Sequence, residues 1–216
     1  MRVFIRKFSW YYNNHGLLIL IARGFRNRLW RRFINSREVV FVAELQNLNT
    51  KKYSCPDNLI VEPYNVVKDI PQKLIKQLLD IECEEILFPF LEKNFRLGAT
   101  FWLGRIDNKV VGYQWSLIGG FNGFYSLPVK PDEAIIFSTQ IFPEVRGKQI
   151  NLALTEMIFK KLKHIGLTRV YIKVNVWNKA NLRSLSKTNC RSLGTVRTIK
   201  LFNKYITIWD KKSITI

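Results

Sequence analysis

The sequence contains few of the residues that build several common kinds of catalytic site. It has only two histidines, His15 and His164, which argues against histidine-based nucleophilic triads and histidine-ligated metals. Its three cysteines, Cys55, Cys83 and Cys190, are far apart, odd in number and without metal-ligand spacing. We therefore expect free thiols in a reducing compartment and no metal cofactor.

Long apolar runs are also missing from the sequence. No segment reaches the roughly 20 apolar residues that a membrane-spanning helix requires. The run from Leu17 to Ala22 is short for the core of a signal peptide, and arginines follow it closely. We therefore predict a cytoplasmic protein.

Acidic residues are scarce at both ends of the 216-residue chain. Residues 1–53 carry 11 Lys and Arg against 2 Asp and Glu, and residues 146–216 carry 16 against 2, whereas residues 54–145 carry 8 against 12. The formal net charge of +19 is therefore concentrated at the ends. Such a distribution suits an anionic partner: a phosphorylated cofactor, a nucleic acid or an anionic membrane surface.

Residues 1–37 form a basic, aromatic segment with nine Lys and Arg and no acid. A helix over residues 16–34 would collect an apolar stripe rimmed by arginines, formed by Leu18, Ile21, Ala22, Phe25, Leu29 and Phe33. This pattern fits peripheral binding at the inner face of an anionic membrane, and it fits equally a helix packed on its own domain. Because a strand is predicted at Glu38–Leu45 and a polar stretch follows it, we assign residues 1–58 to an N-terminal extension and residues 59–216 to the main domain.

The main domain alternates strand and helix patterns, which predicts a mixed α/β fold with a central mixed sheet flanked by helices. Strands are expected at Leu59–Tyr64, Phe101–Ile106, Val110–Leu117, Ala134–Phe142, Arg169–Trp177, Thr195–Phe202 and Tyr205–Trp209. A loop with three glycines and two prolines is expected at Gly119–Pro131.

The helix predictions rest on apolar periodicity and on capping residues. Asp69 is expected to cap the first helix, and Pro89 is expected to divide the stretch Glu84–Phe95 into two pieces. The clearest helix runs from Gln149 to Ile165, and a short helix covers residues 178–187. The apolar face of the long helix is predicted to contain Ile150, Leu154, Met157, Ile158, Leu162 and Ile165.

The segment before the long helix carries the most informative chemistry. Arg146, Gly147 and Lys148 stand at the helix start, where unpaired backbone N–H groups and two side-chain cations coincide. A diphosphate is the ligand that such an arrangement suits. The alternative interpretation is a helix start with solvated charges.

The order of these elements, with P-E-x-R-G-K at Pro143–Lys148 and V-N-x-x-N at Val174–Asn178, resembles the GNAT superfamily of acetyl-CoA-dependent N-acetyltransferases. The resemblance extends over residues 59–209. It implies the fold of that family and acetyl-CoA, or another acyl-CoA, as the co-substrate.

The family signature for the coenzyme is Q/R-x-x-G-x-G/A, in which Arg146 fills the first position while Gln149 and Asn151 replace the two small residues. The resemblance implies that backbone amides hold coenzyme A and polarise its thioester, and it assigns cofactor binding to Thr139, Gln140, Ile141, Arg146, Gly147, Lys148, Gln149, Ile150, Asn151 and Asn178. In the family, the strand before the loop diverges from the strand after the helix, and the pantetheine arm lies in the gap. These strands correspond here to Ala134–Phe142 and Val170–Val176.

The resemblance also implies catalytic roles. Leu185 stands where the family has its thiol-protonating tyrosine, so Ser184, Ser186 or a water would assist the departing thiolate, whose conjugate acid has a pKa of about 8.5. Glu133 is the carboxylate that family analogy assigns to deprotonation of the attacking amine. The alternative for Glu133 is a solvated loop acid.

We therefore predict an acyl-CoA-dependent acyltransferase that moves an acetyl group to an amine or hydroxyl of a small or sugar-like acceptor. One alternative is a catalytically degenerate GNAT-like protein that binds a partner. A second alternative, a nucleic-acid-binding protein, rests on charge alone, because the basic residues lack a recognised binding motif.

Overall fold

A computed structural model of the protein describes residues 37–48, 56, 58–119, 129–201 and 204–210. The predicted basic helix within residues 1–37 and most of the predicted loop Gly119–Pro131 lie outside these residues. Among the described residues, no helix is both long and apolar enough to cross a membrane.

The described helices and strands follow the predicted order with shifted boundaries. The strands are β1 (Arg37–Glu44), β2 (Ile60–Tyr64), β3 (Thr100–Ile106), β4 (Lys109–Ile118), β5 (Glu133–Ile141), β6 (Arg169–Asn175), β7 (Cys190–Leu201) and β8 (Lys204–Asp210). The α-helices are α1 (Gln72–Leu79), α2 (Glu84–Arg96), α3 (Ile150–His164) and α4 (Lys179–Leu185).

The strands form one eight-stranded sheet in the order β2-β3-β4-β5-β6-β1-β7-β8. Neighbouring strands pair antiparallel, except that β5 and β6 are parallel and are connected through α3. A parallel pair requires such a crossover helix, which packs back onto the sheet. The mixed α/β fold predicted from the sequence is confirmed.

Strand β1 lies inside the sheet, between β6 and β7. Its residues Val39 to Ala43 are all buried, as expected for a strand that is covered on both faces. Glu38 pairs its carboxylate with Lys173 of β6 at 2.7 Å. The sheet therefore draws on residues from both sides of the predicted boundary at residue 58.

Helix α3 is the central helix of the main hydrophobic core. Its apolar residues are buried on more than one face, including Leu152, Ala153, Leu154, Ile158 and Phe159. The predicted apolar face is wrong at its end, because the helix stops at His164 and Ile165 is 63% exposed. A left-handed Gly166, with φ of 87°, turns the chain toward β6.

Two helix predictions before β3 are wrong. Asp69 does not cap α1, because it lies in a 3-10 turn and the chain at Pro71 precedes the first helical residue. Pro89 does not divide the second helix, since α2 continues through it. Burial of Leu87 and Leu91 on the inner face of α2 outweighs the one backbone hydrogen bond that proline removes.

A bulge in β5 shapes the centre of the sheet. Tyr113 pairs with Gln140 and Trp115 pairs with Phe137, so one residue of β4 faces two residues of β5. One of these two, Ser138, has a left-handed φ of 49°. Such a bulge bends the strand and interrupts its pairing.

Beyond this bulge, β5 leaves β6. The parallel pairing runs from Glu133 with Arg169 to Ile136 with Ile172 and then ends, although both strands continue. A gap therefore opens between the carboxyl ends of two adjacent strands, which is where ligands bind in many sheets with parallel strands.

The course of β5 after the bulge depends on Gly112 of β4. A Cβ atom at Gly112 would lie 2.5 Å from the Gln140 carbonyl oxygen and 3.2 Å from the Ile141 Cα atom. We expect Gly112→Ala to lower the free energy of unfolding by about 1–3 kcal/mol, because backbone atoms of β5 must move.

Thermal unfolding checks this prediction, with Gly104→Ala as the matched control in β3. A Cβ atom at Gly104 would meet mainly the flexible end of Leu154 at 3.3 Å. The decrease in the free energy of unfolding should therefore be smaller for Gly104→Ala. An equal or larger loss at Gly104 would contradict the close approach of β4 and β5.

Candidate active site

A cavity of about 1010 Å³ lies at the carboxyl end of β5. Its described walls are the end of β5, the loop and first turn of α3, one side of α4 and the connection between α1 and α2. The predicted site residues that line it are Thr139, Gln140, Ile141, Arg146, Gly147, Gln149, Ile150, Asn151, Asn178 and Ser184. Lys148 is exposed and does not line it, so its charge acts at most from outside.

The loop before α3 is held by its own backbone and by one arginine. Pro143 to Val145 form a 3-10 turn, and the Arg146 N–H donates to the Pro143 carbonyl at 3.2 Å. The Arg146 side chain then turns back, because its Nε donates to the Ile141 carbonyl at 3.1 Å. Arg146 therefore ties the loop to the end of β5.

Two residues of this loop adopt left-handed backbone conformations. Gly147 has φ of 82°, and Gln149, at the end of the loop, has φ of 59°. Gln149 occupies a position where the family signature has glycine, and a positive φ explains that preference. The chain thus keeps the loop conformation with a residue that adopts it less easily.

The start of α3 offers backbone donors to the cavity. In the part of the chain that is described, the first helical N–H to bond within α3 is that of Ala153, which donates to the Gln149 carbonyl at 3.1 Å. The N–H groups of Ile150, Asn151 and Leu152 precede it, and these three residues line the cavity. Such N–H groups and the positive end of the helix dipole favour an anion.

A smaller cavity of about 140 Å³ extends from this site into the gap between β5 and β6. It is lined on one side by Ser138 and Thr139 and on the other by Val174 and Asn175. Asn178 lines both cavities, and its Oδ1 accepts from the Asn181 N–H at 3.3 Å, which caps α4. The divergence of the two strands predicted from the resemblance is therefore present.

The side chains of α4 divide between the cavity and the core. Asn181 and Ser184 line the cavity, whereas Leu182 and Leu185 are buried in the main core. Leu185 is 1% exposed, so the position aligned with the family tyrosine does not face the cavity. Ser186 is also outside it, and its hydroxyl donates to the Arg183 carbonyl at 3.1 Å.

Glu133 lies away from the cavity, at the start of the parallel pair. It is 2% exposed, and its carboxylate accepts from the Lys130 N–H at 3.0 Å and from the Tyr171 hydroxyl at 3.3 Å. Arg169 adds an ion pair at 3.5 Å. Burial and the nearby Glu133 charge raise the pKa of Tyr171. The structure thus gives Glu133 neither a solvated position nor contact with the cavity.

Several residues that line the cavity were not predicted from the sequence. Ile81 and Glu82 come from the connection between α1 and α2, and Lys187 comes from the turn after α4. Their position depends on tertiary packing, which no local pattern reveals. The spacing of Asn181 and Ser184, three residues apart on a short helix, was the one available signal.

Two other chemistries receive no support from the described residues. Burial raises the pKa of the Cys190 thiol to about 12, so this group stays protonated and is a poor nucleophile near neutral pH. Among the described residues, no group of three or more His, Cys, Asp or Glu is arranged to hold a metal ion.

Comparison with known families gives one match. The chain matches the profile described as the acetyltransferase (GNAT) family over residues 67–187, which includes the whole loop before α3 and helix α4. No curated protein matches the chain.

Solved structures with a similar fold include a GNAT-family acetyltransferase from Colwellia psychrerythraea, with 12% identity and a TM-score of 0.52 over 73% of this chain and 55% of that chain. A glucosamine N-acetyltransferase region of a fungal multi-domain beta-N-acetylglucosaminidase has 15% identity and a TM-score of 0.52, over 84% of this chain and 23% of that chain. A GCN5-related N-acetyltransferase from Kribbella flavida has 11% identity and a TM-score of 0.47, over 84% and 62%. The chain spans less than two thirds of each.

The left-handed conformation of Gln149 generates a stability prediction. In the left-handed backbone region, a residue with a Cβ atom is less stable than glycine by about 1–2 kcal/mol. The greater backbone freedom of glycine in the unfolded chain offsets part of that difference. Because the Gln149 side chain is exposed, we expect Gln149→Gly to raise the free energy of unfolding by up to about 1 kcal/mol.

Lys148→Gly is the matched control, since Lys148 is exposed and has a negative φ. It should lower the free energy of unfolding by about 0.5–1 kcal/mol. Chemical denaturation measures both variants, and equal losses at the two positions would contradict the assigned loop conformation.

Proposed function

Because the chain belongs to the GNAT acetyltransferase family, we propose that it is an enzyme that transfers an acetyl group from acetyl-CoA to a small or sugar-like acceptor. The acceptor group is an amine or a hydroxyl. The observation that carries the proposal is that the anion-binding loop before α3 and the gap between β5 and β6 open into the same space.

Coenzyme A has a diphosphate and an extended pantetheine arm, and each has a matching place. The backbone N–H groups of Gly147 and of Gln149 to Asn151, with the positive end of α3, suit the diphosphate. The gap after Ile136 and Ile172 suits the arm, which would complete the interrupted pairing of the strands. The thioester would then lie near Thr139 to Ile141, whose amides would polarise its carbonyl.

The acceptor would approach from the side of the α1–α2 connection. Glu82 lines the cavity there, whereas Glu133 is buried elsewhere. An amine with a pKa of about 10.4 must lose a proton before it attacks. We assign this deprotonation to Glu82, directly or through water, in place of Glu133.

The proposed reaction forms one bond and breaks one bond at the thioester carbon. The acceptor nitrogen or oxygen attacks the carbonyl, its proton passes to Glu82 or water, and the carbon–sulfur bond then breaks. The electron pair leaves with sulfur as the coenzyme A thiolate. Ser184 of α4 lines the cavity. We assign its hydroxyl the role of donating a hydrogen bond to this thiolate.

Binding of acetyl-CoA tests the proposal. At about a hundredfold excess over Kd, acetyl-CoA should stabilise the protein by ~2.7 kcal/mol, measured as a rise in Tm. Gly147→Pro should abolish the rise, because proline fixes φ near −65° and Gly147 has φ of 82°.

Gly98→Ala is the control for this measurement, since it strains another left-handed glycine that does not line the cavity. Gly98→Ala should lower the Tm of the free protein, but acetyl-CoA should still raise the Tm of this variant. No shift of the unmodified protein at millimolar acetyl-CoA would overturn the proposal, and a shift with RNA instead would favour the nucleic-acid alternative. A shift without thiol release would favour the degenerate binding protein.

A further inference from the structure

We propose that Asn151 is a positioning residue that orients the Ser184 hydroxyl toward the departing sulfur of coenzyme A. This inference rests on the proposed acetyl transfer. It joins the two departures from the family pattern, an asparagine at the end of the loop signature and the loss of the tyrosine on α4, into one arrangement.

The amide of Asn151 connects α3 to α4. Its Nδ2 donates to the Asn181 Oδ1 at 3.0 Å and to the Ser184 Oγ at 3.3 Å. Both acceptors line the cavity with Asn151 itself. The Asn151 side chain therefore points along the cavity wall to α4. The small residue that the family signature has at this position could not make this contact.

A buried pair of residues holds this amide from behind. Gln114 of β4 and Thr155 of α3 are each 1% exposed. Gln114 Nε2 donates to the Asn151 Oδ1 at 3.1 Å and to the Thr155 Oγ1 at 2.7 Å. The Thr155 hydroxyl in turn donates to the Asn151 carbonyl at 2.8 Å. Gln114 lies opposite the β5 bulge, so the anchor belongs to the rigid centre of the sheet.

These bonds fix the direction of every donor in the group. Thr155 has a single hydroxyl proton and gives it to a carbonyl, so its oxygen must accept from Gln114. Gln114 therefore presents its NH₂ group, and Asn151 must face it with Oδ1. The NH₂ group of Asn151 then points to α4, and the Ser184 oxygen accepts from it.

Since the Ser184 oxygen accepts from Asn151, its own proton remains available for a bond into the cavity. When the carbon–sulfur bond breaks, the electron pair moves to sulfur, and a hydroxyl donor beside it stabilises the negative charge. The thiolate has a conjugate-acid pKa of about 8.5, so it leaves without proton transfer from serine near neutral pH. Donation from Asn151 to the serine oxygen strengthens the hydroxyl as a donor.

A double-mutant cycle tests the proposal. The variants are Ser184→Ala, Asn151→Ala and the combination, and the assay follows thiol release from saturating acetyl-CoA with glucosamine as the probe amine. Each single change should lower kcat by at least about tenfold, the expected effect of a lost hydrogen bond to a charged group. The KM for acetyl-CoA should change little. The double variant should be no slower than the slower single variant, because Asn151 acts through Ser184.

Two further variants separate orientation from packing. Asn151→Asp keeps the shape of the side chain but replaces the NH₂ donor with an acceptor. Its kcat should therefore fall as far as that of Asn151→Ala. Asn65→Ala is the control, because Asn65 is exposed and accepts a hydrogen bond from Thr100 outside the cavity. It should keep the activity of the unmodified protein.

Multiplicative losses in the double variant, or full activity of Asn151→Asp, would overturn the role of Asn151 while leaving the acetyltransferase proposal intact. An unmodified protein that binds acetyl-CoA but releases no thiol, with glucosamine or with water as acceptor, would overturn the proposed function and this inference together. Unfolding measurements on each variant distinguish a loss of kcat from a loss of folded protein.

Discussion

The site depends on the divergence of β5 from β6. The two strands pair through Ile136 and Ile172 and then separate at the bulge of Ser138, after which β5 remains paired only with β4. Gly112 permits the close approach of β4 that keeps β5 on this path. Without the divergence, the backbone groups of Thr139 to Ile141 on the side of β6 would pair with that strand. With it, they border a cavity, and helix α3 begins at the edge of the same cavity.

The loop before α3 keeps a particular backbone conformation although its residues differ from the family signature. The proposed anion site is made of N–H groups and a helix dipole, so it tolerates changes of side chain as long as the backbone keeps its shape. Gln149 keeps the left-handed conformation at a glycine position, and Asn151 turns its amide to α4. The imperfect signature is therefore compatible with the family's mode of coenzyme binding.

The sequence predicted the fold class, most strands and the long helix, because alternation and 3.6-residue periodicity are local properties. It could not show that β1 enters the sheet between β6 and β7, since strand pairing is a long-range property. It also divided α2 at Pro89, where burial of the apolar face prevailed. At the site, motif alignment located the loop and Ser184, which lines the cavity, but it also offered Ser186, which does not. Family analogy selected Glu133, which is buried away from the cavity.

We propose that coenzyme A binds with its diphosphate at the start of α3 and its pantetheine arm between β5 and β6. Titration of ¹⁵N-labelled protein with coenzyme A, followed by amide NMR, tests this claim residue by residue. We expect saturable shifts of the amides of residues 147–152 and of Thr139 to Ile141, with little change at the opposite end of β6 near Arg169. Saturable shifts confined to residues outside both cavities would contradict it.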